Sequence, residues 1–223
     1  THRGSSAASD VYKRQEGTTI ADAEVQRISR ETLLCDVIWE TVEGSELLIS
    51  TTRPELICAC GVVMVHPDDE RYKDLVGKRV KLPLPVNGRS DTVEIQTHPS
   101  VKADFGSGIL MVCSFGDQND VSVFRELGLK PFQAIDLEGK MTEISGPLNG
   151  HTVLDARKLA ISILEDTGKL SSKQNRLQDI PVSERGSNPV EIILLKEWYV
   201  KQTHVIDRLS ELSENCNFHT RKE

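Results

Sequence analysis

The apolar and polar residues follow short alternating runs over the first half of the chain. Between residues 18 and 50 these runs predict three strands, with Gly44 starting the turn before the third. A longer apolar run predicts a buried strand that ends at His66, and two later runs predict further strands. A run broken by two prolines predicts a strand at an edge or a barrel corner. In chain order the runs are TIADAEVQRI, LLCDVIWETV, ELLIS, LICACGVVMVH, KRVKLPLPV, TVEIQTH and GILMVC.

A helical period replaces the alternation in three places. Residues 68–75 predict a short helix that Gly77 stops, and DVSVFRELG predicts a second helix that ends at Gly128. The strongest period runs over residues 153–168 and predicts a buried stripe of Leu154, Leu159, Ile161 and Leu164. Because the strands come first and the helices later, the order favours an α+β fold, a β-barrel-like domain with peripheral helices, over a doubly wound parallel sheet.

Composition along the chain predicts three parts. Residues 1–17 are rich in Ser, Ala and charge without an apolar period, so we expect a disordered or artefactual tail. Residues 18–189 form the predicted domain, whose end we place in the polar stretch from Leu177 to Pro189. Residues 190–223 predict a truncated return segment, because the amphipathic pattern HVIDRLSEL is followed by no closing signal before Glu223.

Charge and cysteine content narrow the class of protein. The net charge of -7 argues against a broad basic surface for nucleic acid but allows a protein that grips only the end of an RNA. Without a long apolar run or a leader pattern, the chain is interpreted as cytoplasmic, with no membrane partner. The five cysteines are interpreted as reduced thiols. Cys58 and Cys60 form a C-x-C that suggests either burial or metal binding; no second pair completes a site, so we expect no metal.

Three groups of residues are candidates for chemistry, each with a structural alternative. Two acids that open the predicted helix are either its cap and first turn or an anion pair for a substrate. A polar triplet before Pro54 is either a strand end or a set of donors to a ligand. A glycine-flanked turn is either a plain β-turn or a place where the backbone approaches a ligand closely. The three groups are Asp117 and Asp120; Thr51, Thr52 and Arg53; and Phe105, Gly106 and Gly108.

Three ordered segments go beyond the fold class. They are TTRPEL at residues 51–56, VMVHPDDERYKDLVGK at 63–78 and FGSGILMVCSFGDQNDV at 105–121. Together they resemble the connective-peptide editing domain of class I valyl-tRNA synthetases, and most closely the archaeal type. The flanking segments TTIADAEV and PVEIILLKEWYVK resemble the entry to that domain and the return from it. In isoleucyl enzymes the first segment resembles TTTPWT, so Arg53 and Glu55 favour the valine enzyme. Two alternatives remain: an isoleucyl editing domain, and a non-catalytic module that binds the tRNA end.

The resemblance implies hydrolysis of mischarged threonyl-tRNA for valine. Asp120 would anchor the substrate ammonium, and Asp117 would contact its hydroxyl or orient water. Thr51 and Thr52 would hold the water and the substrate carbonyl. Arg53 would bind the terminal nucleotide. The turn of Phe105, Gly106 and Gly108 would form one wall of the substrate pocket.

The resemblance also implies what the chain binds. The partners would be the 3′ aminoacylated end of the tRNA and the catalytic domain of the parent enzyme. Editing would need no cofactor; ATP and Mg would serve only the full-length parent, whose HIGH and KMSKS signatures are absent here. Many relatives carry a Cys-x-x-Cys pair where this chain has Ser187, so we expect no zinc.

Overall fold

The computed structural model describes residues 7–13, 18–19, 24–184, 189–196 and 205–216. Contacts divide the chain into a main unit, Ser9–Leu194, and a second unit to which the last described helix belongs. The strands are β1 (Ala7–Lys13), β2 (Thr18–Thr19), β3 (Val25–Thr41), β4 (Glu46–Thr51), β5 (Cys60–Val65), β6 (Arg79–Lys81), β7 (Thr92–Thr97), β8 (Ile109–Cys113), β9 (Leu170–Ser183) and β10 (Glu191–Lys196). The α-helices are α1 (Gln118–Glu126), α2 (Val153–Asp166) and α3 (Ile206–Glu214), and short 3-10 helices span Pro54–Ala59, Glu70–Leu75 and Glu143–Leu148.

Seven strands form one mixed sheet that carries the core. Its order is β4-β3-β6-β7-β5-β8, and β9 pairs with β3 beside this path. Only β5 and β7 are parallel among the pairings of this sheet. The two ends of the path, β4 and β8, lie against each other, so the sheet curls into a partly open barrel. Helix α1 packs on β8 and α2 packs on the 3-10 helix Pro54–Ala59. The predicted α+β, barrel-like class is therefore confirmed.

The longest strand differs from the prediction. We expected two strands before the turn at Gly44, but residues 25–41 form the single strand β3. Strand β9 pairs with it antiparallel from Val25↔Ser183 to Val37↔Leu170. The prediction missed β9 because nearly all its residues are exposed, so no apolar alternation marks it. Its course to Ser183 also crosses most of the stretch in which we placed the domain boundary; the boundary itself stays a prediction.

The strand with the prolines is shorter and lies deeper than expected. Strand β6 covers only Arg79–Lys81 and pairs with β3 on one side and β7 on the other, so it is not an edge strand. Its central residue, Val80, is fully buried. The chain leaves the sheet before Pro83, and the missing amide hydrogens of the prolines therefore interrupt no ladder.

Helix α2 buries a different stripe from the one predicted. Val153, Ala156, Ala160 and Leu164 are buried, whereas Leu154 is 57% exposed. Of the predicted stripe, only Leu164 is buried. Two small alanines allow the helix to approach the 3-10 helix Pro54–Ala59 closely, and residue size rather than hydrophobicity decides which face packs.

The start of the chain also differs from the prediction. Strand β1 lies within residues 1–17, where we expected no regular structure, and it pairs with β2 through Tyr12↔Thr19. Backbone hydrogen bonds define this strand, so the absence of an apolar period gave no signal for it. The sheet order there is β10-β1-β2. No helix among the described residues is long and apolar enough to cross a membrane.

Candidate active site

Two acids and a glycine form the start of helix α1. Asp117 is its N-cap, and its carboxylate accepts a hydrogen bond from the amide of Asp120 at 2.8 Å. The carboxylate of Asp120 turns back toward β8 and accepts from the amide of Cys113 at 3.2 Å. A side chain at Gly116 would place its first carbon under 3.0 Å from the Asp120 carboxylate. The capping interpretation of Asp117 is therefore confirmed, and Asp120 faces the end of β8 rather than open solvent.

The environment of Asp120 disfavours its negative charge. Burial, and then the neighbouring charge of Asp117, raise the pKa of Asp120 to about 8, against the opposing effects of the Cys113 amide and Arg53. The carboxyl of Asp120 therefore holds a proton far more readily than an ordinary aspartate does. A cation placed beside the two acids would restore the ionised form, because it supplies the positive charge that the pair lacks.

Arg53 is engaged by protein groups on three sides. Its guanidinium donates to Glu55 at 3.1 Å, to Glu191 of β10 at 2.7 Å and to the carbonyl of Gly116 at 3.3 Å. These bonds join the segment before Pro54 to the loop that leads into α1. The predicted contact of Arg53 with a terminal nucleotide stays a prediction, and its charge is already shared between two carboxylates.

Glu55 is the buried centre of this network, and the sequence analysis did not identify it as such. The residue is 0% exposed, and Arg157 of α2 donates to both its carboxylate oxygens at 2.7 and 2.9 Å. Burial alone would raise the pKa of Glu55, but the hydrogen bonds from Arg157 and the charge of Arg53 hold it below its usual value. A charged residue within the run PELICA was the available signal, since an unpaired buried carboxylate is rarely tolerated. Glu191 and Arg157 carried no local signal.

Thr51 and Thr52 lie at the end of β4. Thr51 is the last residue of the strand and pairs with Cys35, and its hydroxyl accepts a hydrogen bond from the amide of Arg53 at 3.0 Å. Both threonines are partly buried. The hydroxyl hydrogen of Thr51 is therefore free to donate elsewhere, as a role in holding water or a carbonyl requires. That role stays a prediction.

The turn before β8 needs its glycines. Gly106 and Gly108 have φ values of 58° and 81°, which favour glycine. A side chain at Gly108 would come under 3.0 Å from both Arg71 and the carbonyl of Ala103. Gly106 lies against the side chain of Ser50. Phe105 is 49% exposed, and the guanidinium of Arg176 lies 4.4 Å from the centre of its ring.

The predicted residues fall into two linked groups near the ends of β4 and β8. Arg53 binds the carbonyl of Gly116, which joins the threonine segment to the two acids. The glycine turn contacts Ser50, the residue before Thr51. The first group offers the carboxyl groups of the two acids and two threonine hydroxyls, and the second offers the exposed ring of Phe105.

The thiols near the site are buried and hold their protons. Cys58, Cys60 and Cys113 are buried and donate to backbone carbonyls. Burial raises the pKa of Cys58 and of Cys60 to about 12, so both remain protonated. Within the described part of the chain no group of three or more His, Cys, Asp or Glu is placed to hold a metal. Ser187, on which the zinc prediction depends, lies outside the described residues.

Comparison with known proteins supplies the family. The valine–tRNA ligase of Aeropyrum pernix is 39% identical over 202 residues, which cover 90% of this chain and 24% of that protein. The valine–tRNA ligase of Methanopyrus kandleri is 39% identical over 199 residues, 87% of this chain and 22% of that protein. A LeuRS of Agrobacterium radiobacter, solved as a ternary complex with tRNA and LeuAMS, has a TM-score of 0.49 and 19% identity, over 68% of this chain and 21% of its own. No family model matches the chain.

These similarities establish the kind of protein in two steps. The chain is a segment of an aminoacyl-tRNA ligase whose mixed sheet forms a barrel-like domain. It belongs to the valine–tRNA ligase family, as expected from the three ordered segments. The chain spans about a quarter of the length of the curated relatives it matches.

Proposed function

We propose that this chain is the editing domain of a valine–tRNA ligase and hydrolyses threonyl-tRNA. Threonine has the shape of valine with a hydroxyl in place of a methyl group. The apolar amino-acid pocket of valine–tRNA ligases in general discriminates between the two by only about a hundredfold. A second site that recognises the threonine hydroxyl would hydrolyse the tRNA that has been charged with threonine by mistake. The observation that carries the proposal is the pair Asp117 and Asp120 at the start of α1, where one carboxyl group is buried beside the other and a cation would favour the ionised form.

The geometry supports a division of roles. Asp120 would bind the α-ammonium of the substrate, because its carboxylate is held at the end of β8 and a neighbouring cation would favour its charged form. Asp117 keeps one carboxylate oxygen on the Asp120 amide and has the other for the threonine hydroxyl or for water. Thr51 and Thr52, at the end of β4, would align the water on the ester carbonyl.

No covalent intermediate is needed for this reaction. The aminoacyl ester is activated, so an aligned water molecule attacks the carbonyl, the ester C–O bond breaks, and the ribose oxygen leaves with a proton. Threonine and tRNA with a free 3′ end are the products. The buried protonated thiols near the site are consistent with water as the nucleophile.

The experiment compares deacylation of two esters by the purified chain. The tRNA for valine is charged either with labelled threonine or with labelled valine. Each ester is incubated with the protein and with buffer alone. We expect faster release of threonine than in buffer and little release of valine. Equal rates on the two esters would refute the second-site proposal. A rate below that of buffer would identify a module that only binds and protects the tRNA end.

A further inference from the structure

The guanidinium of Arg53 is held in one orientation by three different partners. Its Nε donates to Glu55 at 3.1 Å, its Nη2 to Glu191 at 2.7 Å and its Nη1 to the carbonyl oxygen of Gly116 at 3.3 Å. Because a guanidinium is planar and rigid, partners on all three nitrogens define both its position and the direction in which it points. The two carboxylates therefore determine where the guanidinium meets the Gly116 carbonyl.

Both carboxylates that hold Arg53 are themselves fixed by the fold. Glu55 is fully buried, and Arg157 of α2 donates to both of its oxygens at 2.7 and 2.9 Å. Glu191 belongs to β10, and its side chain is only 10% exposed. With both glutamates ionised, the charges of the two arginines are balanced within this network.

Arg53 connects the two parts of the predicted site. Its backbone amide donates to the hydroxyl of Thr51 at 3.0 Å, at the end of β4. Its guanidinium binds the carbonyl of Gly116, the residue before the N-cap Asp117 of α1. The position of Arg53 therefore sets the separation between the threonines and the acids. Misplacing a reacting group by about 1 Å can slow a reaction by about a hundredfold, so this separation matters for catalysis.

Stability alone gives a weak reason for such a network. Ions that leave water lose their hydration, and apolar side chains of similar size often make a protein equally stable or more stable. The network instead joins α2 and β10 to the two parts of the site. A role in placing the site accounts for charged groups that packing does not require.

We propose that Arg157 and Glu191 are positioning residues for the editing reaction, because together they hold Arg53 where it joins the end of β4 to the start of α1. Arg157 acts through Glu55, whereas Glu191 acts on Arg53 directly. This proposal rests on the proposed function and adds two residues that are not among the predicted site residues. Their loss would move the threonines relative to the acids while leaving all of these side chains present.

The test measures kcat and KM of the full chain and its variants with threonyl-tRNA. Arg157→Lys keeps the charge but loses the planar fork that binds both oxygens of Glu55, and Glu191→Gln keeps an acceptor but loses the charge. Leu164→Ala is the matched control, because Leu164 is a fully buried residue of the same helix and its truncation lowers stability through a cavity. Melting curves show that every variant is folded at the assay temperature.

We expect Arg157→Lys and Glu191→Gln each to lower kcat at least tenfold and to change KM less than threefold, because the groups that bind the substrate remain. Leu164→Ala should melt at a lower temperature than the parent and keep both constants within twofold. An unchanged kcat in Arg157→Lys and Glu191→Gln would overturn the proposal. An equal loss of kcat in Leu164→Ala would also overturn it, because the effect would then follow stability.

Combination with Arg53→Ala tests the route of the effect. If Glu191 acts through Arg53, adding Glu191→Gln to Arg53→Ala should lower kcat by less than a further twofold, because the residue that it positions is already gone. A further tenfold loss would show that Glu191 acts by another route and would overturn the proposal.

Nuclear magnetic resonance separates failure of this proposal from failure of the proposed function, because it needs no hydrolysis. The amide signals of residues 116–120 should shift more in Arg157→Lys and Glu191→Gln than in Leu164→Ala; equal shifts would overturn the positioning role. If the parent hydrolyses threonyl-tRNA and the network variants keep its kcat, the positioning proposal fails alone. If the parent does not hydrolyse it but the signals follow the expected pattern, the proposed function fails and the network still places the start of α1.

Discussion

Replacing Asp120 with Asn separates its role in the fold from its role in the site. The change keeps the volume and one acceptor for the Cys113 amide but removes the ability to carry charge. Loss of a charged partner for the substrate ammonium weakens binding of the transition state by about 1.5 to 3 kcal/mol, or about ten- to a hundredfold in rate. We therefore expect deacylation of threonyl-tRNA to fall by at least tenfold.

The Asp120→Asn variant, although less active, should be more stable than the parent chain, and only at higher pH. The pKa of Asp120 in the folded chain, about 8, lies above its ordinary value of 3.8, so the folded state holds the proton more tightly. The contribution of the Asp120 carboxyl to the free energy of unfolding is therefore fully present below pH 4 and is lost as pH rises from 4 to 8. Each unit of pKa difference corresponds to about 1.4 kcal/mol. Partial exposure of the carboxylate reduces the total, and we expect a loss on the order of 2 kcal/mol.

The Asn variant cannot ionise and therefore avoids this loss. At pH 9 it should melt about 4 to 8 °C above the parent, and at pH 4 the two should melt within about 2 °C of each other. Thermal unfolding followed by circular dichroism at pH 4, 7 and 9 measures the effect. The combination of a higher melting temperature and a lower rate would mark Asp120 as a residue retained for function at the expense of stability.

Asp155 of α2 offers a matched control. It occupies the same place after its N-cap, Thr152, as Asp120 occupies after Asp117. Asp155→Asn should lose only about 0.3 to 1 kcal/mol of interaction with the helix dipole and leave deacylation unchanged. If Asp120→Asn melts below the parent at every pH and its folded fraction keeps full activity, Asp120 is an ordinary helix residue and the reasoning is refuted.

Two substitutions and one thiol-labelling experiment test the packing of the chain. Glu55→Gln leaves two partly buried arginines, Arg53 and Arg157, short of a charged partner and should lower the free energy of unfolding in urea by about 3 to 5 kcal/mol; a loss below 1 kcal/mol would contradict the network. Gly61→Ala places a carbon under 3.0 Å from the ring of Phe124 and should destabilise by about 1 to 3 kcal/mol, with partial recovery in the double variant that adds Phe124→Leu. The exposed Cys216 should react at once with a thiol reagent in the native protein, whereas the buried thiols should react only on unfolding; fast reaction of all would contradict their burial. The buried thiols are Cys35, Cys58, Cys60 and Cys113.

Much of the fold could be predicted because its signals are local. Strands β4, β5, β7 and β8 and helices α1 and α2 follow short patterns of apolar residues, caps and glycines, which act over a few neighbouring residues. The N-cap role of Asp117 was likewise readable from its place after Gly116. The family followed from three ordered segments, because long motifs in a fixed order rarely coincide by chance.

Only the tertiary structure shows the features that join distant residues. Strand β9 has no apolar face, so its pairing with β3 leaves no pattern along the chain. The Glu55 network connects residues more than a hundred positions apart. The raised pKa of Asp120 depends on its burial and on the charges packed around it, which its neighbours in sequence do not define. Preferences for helices, strands and turns depend on adjacent residues, so they can be predicted from the sequence. Burial and charge pairing arise only when the folded chain brings separate segments together.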